Sequence, residues 1–319
     1  MLEIVDETVW PAATPAYYGG NFYSTISDVL KASYMAGEGD KVITLRPDSD
    51  LGVITHAHVA DNLTIYGNGA TVGDGGEHDF EIDTYKYNRE TGRQDAVNGE
   101  YLTKDITLNI YNLNGCAAWG QRNTEHKITL NFYNCKNMNR IYFTGDKGEI
   151  EMNLEDCSFV AGVNRGATCA IKTDSKGIWT ISNCYFERIS EVVAMTNENG
   201  FGKFTLTNCE FKNCGTKALA ESLGSTAWCS TVRSLGRQPA EMVLDGCIFS
   251  NDSGAELNSA DIVVGELRPE NGKATSPVKY SIRNTVGTLK VIKPHGVVDA
   301  IEATDYTLTA ADVKEGTNE

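Results

Sequence analysis

Proline is scarce in this chain, 7 residues in 319. Few positions therefore lack a backbone N–H for pairing. Long apolar runs are absent as well. No window of about 18 apolar residues occurs, so no membrane insertion is expected. The first ten residues, MLEIVDETVW, lack a basic stretch followed by an apolar one and do not read as a secretory signal. Cations are outnumbered, 28 Lys and Arg against 43 Asp and Glu, for a formal net charge of −15. A chain of this charge repels phosphate backbones, which argues against nucleic acid as a partner. The same field opposes polyuronic acids unless a metal or a local basic cleft intervenes. The cysteines number nine, so they cannot all pair with one another.

What is present is glycine (31 residues), frequent asparagine and a repeat. LNIYNL (108–113), LNFYNC (130–135), MNLEDC (152–157), WTISNC (179–184), FTLTNC (204–209) and MVLDGC (242–247) align without gaps, with YSIRNT (280–285) as a weaker copy. Their last residues are separated by 22, 22, 27, 25, 38 and 38 positions. The first and third columns are apolar and the residues between them mostly polar, which is the period-two pattern of a strand with one buried face. The fifth column is Asn112, Asn134, Asp156, Asn183, Asn208, Gly246 and Asn284. These residue types tolerate the left-handed region, so a bend is expected there. The sixth column is mainly Cys, and Phe159, Phe186, Phe211 and Phe249 follow two places later.

A strand, a one-residue bend and a second strand, repeated every 22 residues or more, describe one coil of a β-helix. Rungs about 4.8 Å apart turn each column into a ladder of like residues. Parallel thiols on neighbouring rungs point the same way, so the cysteines read as buried and free. Third strands are expected at 141–145, 169–174, 192–197, 230–235 and 261–266, with 214–229 and 266–278 as inserted loops. Residues 24–35 read as an amphipathic helix with Ser24 as N-cap, covering the first coil. Residues 308–316 read as a short helix. One domain results: 1–50 as N-terminal cap and first strands, 51–300 as coils, 301–319 as C-terminal cap.

The helix, then GDKVITLRPDSD (39–50), then NLTIYGNGATV (62–72), resembles the opening of the pectate-lyase-like superfamily. With the Asn bends and ladders, this resemblance implies an all-β, single-stranded, right-handed parallel β-helix with an N-terminal capping helix. The coils are also similar to β-helical regions of bacterial surface proteins and phage fibres. The superfamily's Asn-Thr-Asp, Asp-Asp and Gly-His-Gly rungs are missing, as are its clustered calcium-binding Asp residues and Arg base, so no catalytic residue carries over.

The residues themselves suggest sites. Glycoside hydrolysis needs two carboxyls about 5–5.5 Å or 6.5–9.5 Å apart. Asp174, Glu198, Glu221 and Glu266 lie at or near ends of third strands, and Asp245 and Asp252 flank another bend. The plainer reading is that acidic residues cover a solenoid of this charge everywhere. Arg140, Lys172 and Arg233, with Arg122 nearby, bring cations to the third-strand face, while Trp119, Tyr142 and Trp228 bring aromatics. Such sets suit sugar stacking and hydrogen bonding. His56 and His58 could share one face as metal ligands, although an exposed turn explains them more simply. GDGGEHDFEID (73–83), with Asp79 and Glu81, offers oxygens that would suit calcium, or else forms an exposed strand with Phe80 and Ile82 inward.

The function expected from all this is non-catalytic. The chain would be an extracellular adhesin or phage-fibre-like protein at a cell surface or on a virion. It would present a face to carbohydrate or to a surface protein, as a homotrimer if it assembles. The alternatives are a glycoside hydrolase or polysaccharide lyase acting on the third-strand face, and a structural spacer.

Overall fold

In a computed structural model of the chain, the structure describes residues 10–11, 14–54, 57–73, 80–161, 169–223, 230–234, 238–265, 278–292, 301–306 and 313–316. The alternating segments are strands, and equivalent strands of successive repeats lie side by side. They build three largely parallel sheets, the first of which opens with Ala16–Tyr18 and Asn21–Tyr23 paired antiparallel, and the chain visits the sheets in turn. The first sheet carries the repeat strands Ile106–Tyr111, Lys127–Tyr133, Glu149–Glu155, Gly177–Ser182, Gly202–Thr207, Ala240–Asp245 and Val278–Arg283. The second holds Ser158–Val160, Tyr185–Glu187, Glu210–Lys212 and Ile248–Ser250. The third holds ten strands, from Ala57–His58 to Val313–Gly316. The protein is all-β, with long parallel sheets compatible with a β-helix.

Register follows the columns. Leu108 pairs with Leu130, Leu130 with Met152, Met152 with Trp179, Trp179 with Phe204, and Phe204 with Met242. All of these side chains are fully buried. A one-residue slip would turn the whole apolar set outward, so burial holds the register. The bends behave as their residue types require: Asn112, Asn134, Asp156, Asn183, Asn208 and Asn284 all have φ between 47° and 55°, and Gly246 has φ 68°. Asn131 donates to Asn109 at 2.7 Å and Asn153 to Asn131 at 2.8 Å, forming a second amide ladder on the outer face. Phe159, Phe186, Phe211 and Phe249 stack in file, with centroids 4.5–5.2 Å apart. Tyr66, Tyr111 and Tyr133 do the same outside.

Cys135, Cys157, Cys184, Cys209 and Cys247 are buried and free. Their thiols donate to carbonyls, as Cys157 does to Phe132 O at 3.4 Å. The Cys157 thiol is pushed up to about 12 by its hydrogen bond with Cys135 and by burial. Cys116 meets Cys135 and extends the row, although it stands three residues outside the alignment.

Several expectations need correction. The helix α1 runs Ile26–Met35, and Thr25 caps it, not Ser24: Thr25 Oγ1 accepts from the Asp28 N–H at 3.0 Å. Thr25 has the extended backbone of an N-cap, with φ −139° and ψ 154°. Residues 313–316 form a strand beside Leu289–Ile292, because sheet pairing satisfies backbone groups that an isolated short helix would leave open. The inserted 214–229 segment contains a helix, α2, over Lys217–Ser222, capped by Thr216. Segment 266–277 lies outside the described residues. None of the described helices is long and apolar enough to cross a membrane.

Candidate functional site

The outward column of the third sheet runs His58, Glu81, Trp119, Tyr142, Lys172, Ala194, Arg233 and Val263 in register. It joins most of the candidate ligand residues, but the column is not uniformly open. Trp119, Tyr142 and Lys172 are half-buried, whereas Ala194, Arg233 and Val263 are buried. Arg233 is 2% exposed and paired with Glu191. Arg122 is also enclosed. Its guanidinium lies 3.1 Å from the Asp83 carboxylate, and neither side chain is exposed. Asp83 in turn accepts from the Asn123 and Thr124 N–H groups, both at 2.9 Å. Both arginines are enclosed and paired within the chain, not open on the strand face. Buried cations need partners, and here the partners come from within the chain.

The open part of the column is a strip. Trp119 and Tyr142 occupy neighbouring rungs. Arg140 lies over the Tyr142 ring at 5.1 Å, and Tyr85 tilts against Trp119 at 6.5 Å. Lys172 stands on the next rung. Asp174 directly follows the strand Cys169–Thr173, and Glu198 stands on the rung beyond, its N–H donating to Asp174 O at 2.8 Å. The Asp174 carboxyl is held above its ordinary value by burial, with the Glu198 charge acting in the same direction. The other carboxylates are elsewhere. Asp245 accepts from Asn284 at 2.9 Å on the first sheet, Asp252 accepts from Asn213 at 2.9 Å past a second-sheet strand, and Glu221 is exposed on α2. Glu266, Trp228, His56 and Asp79 lie outside the described residues.

At the N-terminal end of the column is a cleft of about 650 Å³ that the repeat pattern does not reveal. It opens between α1, the edge strand Ala57–His58 and the segment 85–104, which contains the hairpin Tyr87–Asn88/Arg93–Gln94. Arg89 anchors that segment. It donates to the Tyr34 and Gly37 carbonyls at the end of α1, both at 2.9 Å, and to Asp61 at 2.7 Å. Lys104 reaches the other Asp61 oxygen at 2.8 Å. His58 is buried and not on an exposed turn: it stacks on Tyr87 at 3.8 Å and meets Tyr34 edge-on at 5.0 Å. Burial, and then the Arg89 charge, lower its pKa to about 3, so the imidazole is neutral. Glu81 is fully buried between Phe80 and Ile82, so this end of the 73–83 stretch is not exposed, while Phe80 and Ile82 are buried as expected; residues 74–79 lie outside the described residues. Among the described residues no three His, Cys, Asp or Glu side chains converge as a metal site. No known protein family, curated protein or solved structure matches the chain significantly.

Proposed function

We propose that the chain is a right-handed parallel β-helix of the pectate-lyase-like kind, capped by α1, and that its third-strand face holds a glycan without cleaving it. The in-register parallel sheets and the contacts of α1 with the first strands support the architecture. One observation carries the functional reading: Trp119 and Tyr142 stand half-exposed on adjacent rungs, flanked by Tyr85, Arg140 and Lys172. Rungs repeat about every 4.8 Å on a rigid sheet, a spacing comparable to successive sugar rings. Aromatic edges and faces supply apolar contact, and the cations supply donors for hydroxyls. In this reading the protein works as an adhesin or fibre-like element at a cell surface or on a virion, alone or as a trimer.

The test is retention on immobilised host and plant glycans, with sugar release followed in parallel. Wild type is expected to be retained by at least one neutral glycan, and Trp119→Ala and Tyr142→Ala to weaken retention about tenfold each. Equal retention by the variants, or none by wild type, removes the reading.

A second reading has its own support. Asp174, with a raised pKa, and Glu198 on the next rung resemble an acid and its carboxylate partner beside the strip. Sugar release that disappears in Asp174→Asn would make the protein a glycoside hydrolase and end the non-catalytic reading.

A further inference from the structure

His58 has both ring nitrogens enclosed and without a hydrogen-bond partner. In the neutral ring one nitrogen donates and the other accepts. Leaving such groups unpaired is costly, yet His58 lines the large cleft and two smaller cavities beside it. The rim adds the carboxylates of Glu38, Glu90 and Glu100 and the amides of Asn88 and Asn98.

The charges exclude most ligand classes. An anion would meet three rim carboxylates, and Arg89 already engages its Nη1 with Asp61 and two carbonyls. A cation would find the rim carboxylates but no open ring face to cage it, because Arg89 covers Tyr34 at 4.6 Å, Lys86 covers Tyr101 at 5.6 Å and His58 covers Tyr87, and the Arg89 and Lys86 charges stand beside those same rings. What remains is hydrogen bonding to groups that donate and accept. Hydroxyls do both, and a volume of 650 Å³ is ample for one sugar ring. His58 also stands in the column of Trp119, two rungs away, or about 10 Å along the stack.

We infer that this cleft is a pocket for a single neutral, polyhydroxylated sugar ring, held through His58, and that it receives the terminal residue of a glycan laid along the Trp119–Tyr142 strip. The second half of the inference rests on the function proposed above; the first half does not.

Saturation-transfer NMR with neutral methyl glycosides of glucose, galactose, mannose and N-acetylglucosamine tests it, with glucosamine and glucuronate as charged controls. Wild type is expected to show transfer from at least one neutral glycoside and weaker transfer from both controls. His58→Phe keeps the stack on Tyr87, removes both nitrogens and should abolish the signal. Glu100→Gln, an exposed rim change that leaves folding intact, should weaken binding about tenfold.

No transfer from any neutral glycoside, a stronger charged control, or unchanged transfer in both His58→Phe and Glu100→Gln would each overturn the pocket. Monosaccharide binding at His58 without retention on any glycan would sink the strip and leave the pocket standing. Retention without monosaccharide binding would do the reverse.

Discussion

At the scale of single residues, the interior of this chain holds polar groups that had to be matched individually. Arg122 meets Asp83, Arg233 meets Glu191, and Asp61 takes both Arg89 and Lys104. His58 differs because its neighbours are aromatic rings and not acceptors. Its depressed pKa has a stability consequence with a definite sign. In the unfolded chain a histidine titrates near 6.5, while folded His58 resists protonation down to about 3. As pH falls through this window the unfolded state takes up a proton that the folded state refuses. The stability associated with neutral His58 is therefore complete above about pH 6.5 and is lost as pH drops toward 3. Urea unfolding between pH 7 and 4 should show wild type losing stability more steeply than His58→Phe, by at most about 1.4 kcal/mol per pH unit. Parallel slopes would mean that the imidazole titrates normally.

At the scale of elements, the bends decide whether a rung closes. Asn134 sits at φ 53° and donates to Asn112 at 3.4 Å. Alanine there would carry the left-handed penalty and lose the ladder bond, about 1.5–3.5 kcal/mol together. Glycine would lose only the bond. Chemical denaturation of Asn134→Ala and Asn134→Gly should rank them in that order, and equal losses would show that the bend conformation carries no cost. These bends were legible in the sequence, as were the apolar columns, the Phe file and the third strands, because each repeats a local physical requirement at a readable spacing. The cap at Thr25, the strand at 313–316 and the cleft were not legible. A cap depends on which of two neighbouring hydroxyls meets the first turn. The 313–316 strand exists because Leu289–Ile292 offers it an edge. The cleft is made by segment 85–104, which has no repeat partner and is held by Arg89 reaching 55 residues back to the Tyr34 carbonyl.

The same limit governed the candidate site. Register placed Trp119, Tyr142 and Lys172 together as their third-strand positions implied. Burial could not be read that way, so Arg122 and Arg233 looked available when they are internal counter-ions. Sequence alternation says which face a residue occupies, not whether another segment covers that face.

At the scale of the whole molecule, cohesion does not depend on cross-links. All eight cysteines among the described residues are free and buried. The Cys214 thiol is pushed up to about 12 by burial, which keeps it protonated and slow to react. A thiol reagent on the native protein should therefore label at most one cysteine quickly, Cys229, which lies outside the described residues. All nine should react in denaturant, and added reductant should leave the melting temperature unchanged. Rapid native labelling of several thiols would mean that the row is not packed as described.

The spacings between repeats have one more consequence. Extra residues, up to 16 beyond the shortest repeat, leave the chain between rungs while the columns continue unshifted from Cys135 to Cys247. Length along the axis and ornament around it are thus independent quantities. Such a molecule is a ruler: duplicating a coil would extend its graduated edge by one division, and changing a loop would alter only what is written beside a mark.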